Sequence, residues 1–266
     1  MGQLSGLFYY SSMPDIFYES KLKVQRALQH IHDLNQINTR FIEGCPYEVF
    51  IEHDPHGADD LLKVKATNNL PDSFLLTLGD AIHNLRASLD YAMSDIEFEL
   101  NGRRTTYTNF PIRETMESLV AAVNGGLKEK APKAVIDHIV EVIQPYKGGN
   151  REALWCLHEL DNEDKHRLLI AKVELAFVDG ITVENDAGAE LAIDRWLIVE
   201  KFVAQRPIKG CKQAKVRNQG RATFNVVFAS MLPVNLKPVV PTLYNLAQIV
   251  LSTINEIQLV FLSGEG

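Results

Sequence analysis

The chain has 266 residues, 46% of them hydrophobic, and a net charge of -7. That length suits one large domain or two small ones, and that apolar share is enough for a packed core, which excludes disorder along the whole chain. No uninterrupted apolar run reaches the roughly 18 residues of a membrane span, and MGQLSGLFYYSSMPDIFYES has no basic stretch leading into an apolar one. Neither a span nor a secretory signal is expected.

In chain order, Leu22, Val24, Leu28, Ile31, Leu34 and Ile37 recur at helical spacing and predict a first helix over 15–42, with Asp15 available as its cap. YEVFIEHD (47–54) alternates like a strand, DPHGADD is a turn, and LLKVKAT (61–67) is a second strand, so a hairpin is expected. Pro71 and Asp72 or Ser73 then open a long helix to about Leu100, stopped by Asn101-Gly102. An extended connector over 103–113 leads to helices over 115–124 and 132–143. QPYKGGN is a turn, and Leu154, Leu157 and Leu160 mark a short helix over 150–160. From about 168 to 230 the pattern alternates between turns, as in an antiparallel sheet, and an amphipathic helix follows over about 239–262. The fold class is α+β: a helical body with a long central helix, an N-terminal hairpin insertion, a C-terminal antiparallel sheet and a final helix. Two regions are expected, 1–164 with the hairpin at 47–67, and 165–266 packing its sheet and last helix on the same core.

The long helix carries two stripes. Leu75, Leu78, Ile82, Leu85, Leu89 and Ile96 form the core seam. Gly79, His83, Arg86 and Asp90 run beside it on the helical wheel. Gly79 lets a neighbour approach, and Asp90 lies four residues after Arg86, within pairing reach. The stripe reads either as a structural charge pair at a helix seam or as a small polar site. In the second reading Arg86 binds a phosphate or carboxylate and His83 moves a proton.

A second cluster, His158 to Arg167, is read as a charged loop between the short helix and the first sheet strand. Lys165, His166 and Arg167 could donate to an anion, and His166 could act as acid or base. Asp161, Lys165 and His166 are expected to face the Arg86 stripe. A charged hinge is the simpler reading. No metal or cofactor is expected. His158, Asp161 and His166 match no standard ligand spacing, turn chemistry accounts for His53-Asp54-Pro55-His56, and no phosphate-binding or nucleophile-elbow motif occurs. Three widely spaced cysteines (Cys45, Cys156, Cys211) without a CxxC pair predict reduced thiols, hence a cytoplasmic location.

Residues 201–221 hold seven Lys or Arg and no Asp or Glu. Lys209, Lys212, Lys215 and the Arg217-Asn218 step there read as a contact for RNA or another acidic partner, or as a solvated hairpin that balances the acidic remainder.

R-A-S-L-D-Y on a long helix resembles the HEPN superfamily, whose nucleases carry an R-x-x-x-x-H motif on one helix. Arg86 matches the arginine, and Tyr91 stands at the histidine position. The wider layout G-D-A-x-H-N-L-R-A-S-L-D, F-P-I, Q-P-Y and L-x-N-x-D-K-H-R, over 47–170, is similar to bacterial and phage-borne proteins without an assigned activity. The resemblance implies metal-independent RNA cleavage or binding, a homodimer, and a part in phage–host conflict. The catalytic set would be Arg86, His83 and His166, with Asp90, Tyr91, Asp161, Lys165 and Arg167 in binding. The alternative is a non-catalytic HEPN-like module that binds a protein or nucleic acid.

Overall fold

Helices and antiparallel strands share the computed structural model, which describes residues 15–53, 59–105, 108–166, 171–197, 203–209, 211, 213–229, 233–235 and 237–264. Their order is α1 (Tyr18–Glu43), β1 (Tyr47–Glu52), β2 (Asp60–Ala66), α2 (Asp72–Asn101), α3 (Met116–Ala122), α4 (Lys133–Asp137), α5 (Glu152–Asp164), β3 (Ala171–Glu184), β4 (Glu190–Leu197), β5 (Val203–Ile208), β6 (Lys215–Phe228) and α6 (Val239–Ser263). The fold is α+β, with the hairpin, the C-terminal strands and the last helix in their expected places.

The chain divides into two compact units, each discontinuous in sequence. The first gathers Met1–His32, Thr77–Leu168 and Pro241–Gly266; the second gathers Asp33–Leu76 and Leu169–Val240. The hairpin therefore groups with the C-terminal strands, together with the last turns of α1 and the first turn of α2 that flank it. The reason is backbone pairing: β2 runs antiparallel to β5, from Asp60 opposite Ile208 to Lys65 opposite Val203.

The second unit holds two three-stranded antiparallel sheets, in the orders β1-β2-β5 and β4-β3-β6. Val49, Leu62 and Val64 of the first sheet and Val178, Ile181, Val183, Ile193 and Phe224 of the second belong to one buried cluster. Each such side chain, fully buried, is worth about 1.5–3 kcal/mol. The Tyr47 and Phe224 rings lie 5.7 Å apart, and the Tyr47 hydroxyl donates to the Gly220 carbonyl at 2.7 Å. Gly220 has φ +71°, and a Cβ there would run into the Asp179 carbonyl. Only glycine meets both demands.

The first unit is helical. On α2 the predicted seam is buried throughout: Leu75, Leu78, Ile82, Leu85, Leu89 and Ile96. A Thr115/Ser118 capping box starts α3. Both α3 and α4 run on into wide turns, Val123–Leu127 and His138–Ile143. The second turn ends with the Gln144 amide donating to the carbonyl of Ile139 at 2.9 Å. α6 is long and apolar enough, by length and composition, to cross a membrane. The uninterrupted-run criterion missed this because scattered polar residues break the run without lowering the average much. Within the first unit α6 packs as a core helix. It buries Leu243, Leu246, Val250, Ile254, Ile257 and Phe261. Its Thr253 and Glu256 accept from Arg151, and its Gln258 bonds to Lys21 at 2.7 Å and to Asp15 at 3.0 Å.

Candidate functional site: a cationic cavity beside the long helix

The second polar cluster is helical over His158–Asp164, with Lys165 and His166 in the turn that follows. α5 continues to Asp164, four residues beyond the last apolar anchor, Leu160. Side-chain pairs one turn apart sustain it there. His158 Nε2 lies 3.2 Å from the Asn162 side-chain amide, and Lys165 donates to Asp161 at 2.6 Å.

This extension carries charged groups to the polar stripe of α2. His83 Nδ1 lies 3.1 Å from Asp161 Oδ1. Arg86 is buried and makes three bonds: to Asp90 at 2.6 Å, to the Phe110 carbonyl at 3.2 Å, and through Nε to His158 Nδ1 at 3.3 Å. Asp90 also accepts from the Phe110 amide at 2.8 Å. Burial pushes the Asp90 carboxyl above its ordinary value, although the Arg86 charge and hydrogen bond pull the other way. Gly79 has a direct reason to be glycine: a Cβ there would fall on the Asp164 carboxylate. Asp164 Oδ1 is buried with no hydrogen-bond partner among the described residues. Burial, then the charges of Asp161 and Asp80, raise its pKa.

His158 is the residue that sequence reasoning missed as a site member. Burial first, and the adjacent Arg86 charge second, lower its pKa to about 4. The Arg86 Nε always carries hydrogen, so His158 Nδ1 accepts; the neutral ring then holds its proton on Nε2, and the Asn162 amide turns its oxygen to accept it.

Arg86 and His158 form part of the wall of a cavity of about 530 Å³, which Arg113, Lys130, Asn109 and the Gly125-Gly126 turn complete. Among the described residues, Arg86, Arg113 and Lys130 line this space and no carboxylate does. Their counter-charges stand behind the wall. Asp90 pairs with Arg86. The Lys130 ammonium donates at 3.2 Å to both the Thr105 and the Thr108 hydroxyls, which in turn bond to Glu97. Burial would raise Glu97, but the hydrogen bonds from Thr108 and Thr105 outweigh it and leave the carboxyl below its usual range. Arg113 is exposed and donates to the Ile112 carbonyl at 2.7 Å; among the described residues it has no carboxylate partner. A side chain built at Gly125 or Gly126 would meet only open space, so the turn leaves the cavity mouth clear.

The other expected site residues are placed as follows. His83 and Asp161 join the α2–α5 network, and Lys165 joins it through Asp161. His166 is exposed at the end of α5, outside these bonds. Tyr91 lies under the Lys23 ammonium, 5.3 Å from the ring centroid, and is not in the cavity wall. Arg167 and Lys212 fall outside the described residues. In the basic segment, Lys209 and Lys215 are exposed, Arg206 stacks on Trp196, and Arg217 pairs with Glu184 of β3. Asn218 accepts from the Gly220 amide at 3.0 Å. Of that segment's described cations, Arg217 is met by an acid of its own sheet and Arg206 by an aromatic ring of the other. Among the described residues no group of three or more His, Cys, Asp or Glu is placed to hold a metal ion.

Comparison with protein-family models, with curated proteins and with solved structures gives no match.

Proposed function

We propose that this chain is a HEPN-like RNA-binding protein that holds a phosphodiester group in the cavity beside α2, and that it binds RNA without cutting it. The observation that carries the proposal is the cavity wall, which presents Arg86, Arg113 and Lys130 and no carboxylate. Cations gathered on one wall suit a phosphate, and arginine's fork suits its oxygens.

The same geometry weighs against cleavage. Cutting at a 2′-hydroxyl needs a base that can take its proton while phosphorus gains the 2′-oxygen and releases the 5′-oxygen. His158 is the histidine in the wall, but its Nδ1 lone pair is engaged by Arg86 and its Nε2 holds the proton. A pKa of about 4 makes it a weak base as well. The position of the motif histidine is Tyr91, which lies outside the wall. The homodimer and the phage–host setting belong to this proposal on the resemblance alone.

The test is fluorescence anisotropy of labelled single-stranded RNA with the full chain, at low and high salt, with the RNA afterwards run on a denaturing gel. Affinity is expected to fall as salt rises. Arg113→Ala and Lys130→Ala should each weaken it about tenfold, one charge-assisted contact of roughly 1.4 kcal/mol. The RNA should remain intact. Unchanged affinity in the double variant would overturn the binding site, and cut RNA whose cleavage is lost in His158→Ala would overturn the non-cleaving half.

A further inference from the structure

A second, smaller cavity of about 220 Å³ adjoins the first and shares Arg113 and His158 in its wall. The remaining lining differs in chemistry: Trp155, Glu159, Glu114 and Ile112. Trp155 and Glu159 are one helical turn apart on α5, so they lie on one face of that helix. His158 lies beside them and reaches the larger cavity. The Lys147 ammonium sits 5.2 Å from the Trp155 ring centroid. Among the described residues, neither Glu114 nor Glu159 forms an ion pair. The two chambers therefore differ in chemistry: Arg86 and Lys130 line only the larger, a half-buried indole, Glu114 and Glu159 line only the smaller, and Arg113 stands between them.

That division matches the two ends of a nucleotide. We infer that the smaller chamber is a base subsite selective for guanine, with the base stacked on Trp155 and its Watson–Crick edge on the Glu159 carboxylate, while the attached phosphate lies in the larger chamber. The choice of base follows from hydrogen-bond chemistry. An ionised carboxylate only accepts, through two oxygens side by side. Guanine offers two adjacent donors, N1–H and the 2-amino group, so it can satisfy both oxygens at once. Adenine and cytosine set an amino group beside an acceptor nitrogen, and that nitrogen would face a carboxylate oxygen. Uracil offers one N–H between two carbonyls. Glu159 is half-buried, and a carboxylate covered by a bound base and left half-satisfied, or set against an acceptor, discriminates against that base. Stacking on tryptophan adds affinity for any base, so selectivity is assigned to Glu159 and general affinity to Trp155.

This inference deepens the RNA-binding proposal and rests on the same phosphate chamber. The ligand chemistry, a guanine base with a phosphate, has two sources: a guanosine within an RNA strand and a free guanine nucleotide. Isothermal titration of the full chain with GMP, AMP, CMP and UMP, and with five-residue oligo-G and oligo-A RNA, separates them. GMP is expected to bind at least tenfold tighter than the other three mononucleotides. Glu159→Gln should reduce that preference to threefold or less, because GMP loses an acceptor while AMP loses a repulsion. Trp155→Ala should weaken all four nucleotides together. An oligo-G more than tenfold tighter than GMP identifies the strand as the ligand, and equal affinities identify the free nucleotide. Should the oligomers bind in a salt-dependent way with no base preference, the guanine subsite is wrong and RNA binding stands. Should GMP bind selectively while no RNA binds, RNA binding is wrong and the guanine subsite stands. An undiminished guanine preference in Glu159→Gln would overturn the assigned residue and the inference with it.

Discussion

The cavity beside α2 and the basic strands β5 and β6 are both rich in arginine and lysine, yet they leave those charges in different states. In the strands, acidic residues share the same sheet. Arg217 meets Glu184, and Arg195 on β4 meets Asp179 at 2.8 Å. In the cavity, Asp90 pairs with Arg86 from behind the wall, Glu97 reaches Lys130 through Thr105 and Thr108, and Arg113 has no carboxylate partner among the described residues. A count of charges along the chain ranks the strands higher. What decides availability to a ligand is where each counter-charge sits, and the count does not contain that.

The largest expected effect that separates the two regions is on stability. Arg86→Ala removes three bonds and leaves the Asp90 carboxylate unpaired in a partly buried place. It should cost about 3 kcal/mol in urea unfolding, whereas Arg217→Ala should leave the midpoint where it is. A midpoint for Arg86→Ala like that of the parent would show that the cavity charges are no more integrated than the strand pairs. Next is binding. Replacing Lys209, Lys215, Arg217 and Arg221 together by Gln should change RNA affinity less than threefold, against about tenfold for Arg113→Ala alone. The reverse ranking would move the contact surface to the strands.

The comparison extends to acid. Exposed pairs on the strands, such as Glu184 held down by Arg217, stand against two strongly shifted groups in the helical unit. Asp95 is raised to about 7, by burial first and against the pull of Arg104. It keeps its proton in the folded chain to a higher pH than in the unfolded one. Its contribution to stability is therefore complete at low pH and lost as pH rises through about 7. His158 is the opposite case, lowered from 6.5 to about 4. Its contribution is present above 6.5 and lost as pH falls toward 4. The two offset each other across pH 4 to 7. Relative to the parent, Asp95→Asn should lose stability more steeply on acidification over that range, and His158→Gln less steeply. Chemical denaturation at pH 4, 5.5 and 7 reads both slopes, and parallel slopes in all three proteins would refute the assignment.

The smallest effect concerns Gly79. In the parent, Gly79→Ala must displace the Asp164 carboxylate, so its gain in helix propensity is offset. In an Asp164→Ala background the same change should stabilise by up to about 1 kcal/mol. Equal effects in both backgrounds would mean that Asp164 does not hold that glycine in place.

The core stripe of α2 was legible because apolar residues at helical spacing admit few other readings, and the hairpin because its strands alternate. The last turns of α5 were not, since only Leu160 is apolar between His158 and Asp164. Those turns are held by paired polar groups that look like a loop in one dimension. The charged stripe of α2 was visible as a stripe. Its partners His158, Phe110 and Asp164 come from α5 and the 103–113 connector, at separations no local pattern reports. The cavity was invisible for the same reason. Arg113, Lys130 and Trp155 are unremarkable singly, and they matter through a meeting of distant segments. The 201–221 run was easy to see, but that Arg217 within it faces Glu184 of β3 is a long-range pairing that no local pattern reports.

The interleaving of the two units bears on how the chain comes to be folded as it leaves the ribosome. The helical unit lacks α6 until residue 263 has been made, although α2 and α5 are complete nearly a hundred residues earlier. The sheet unit interrupts it twice and is itself split by the helices. Closing such long loops is slow, so for the time needed to translate the strands the helical unit awaits its last helix. That interval is when the nascent chain is most exposed to aggregation and to chaperone capture.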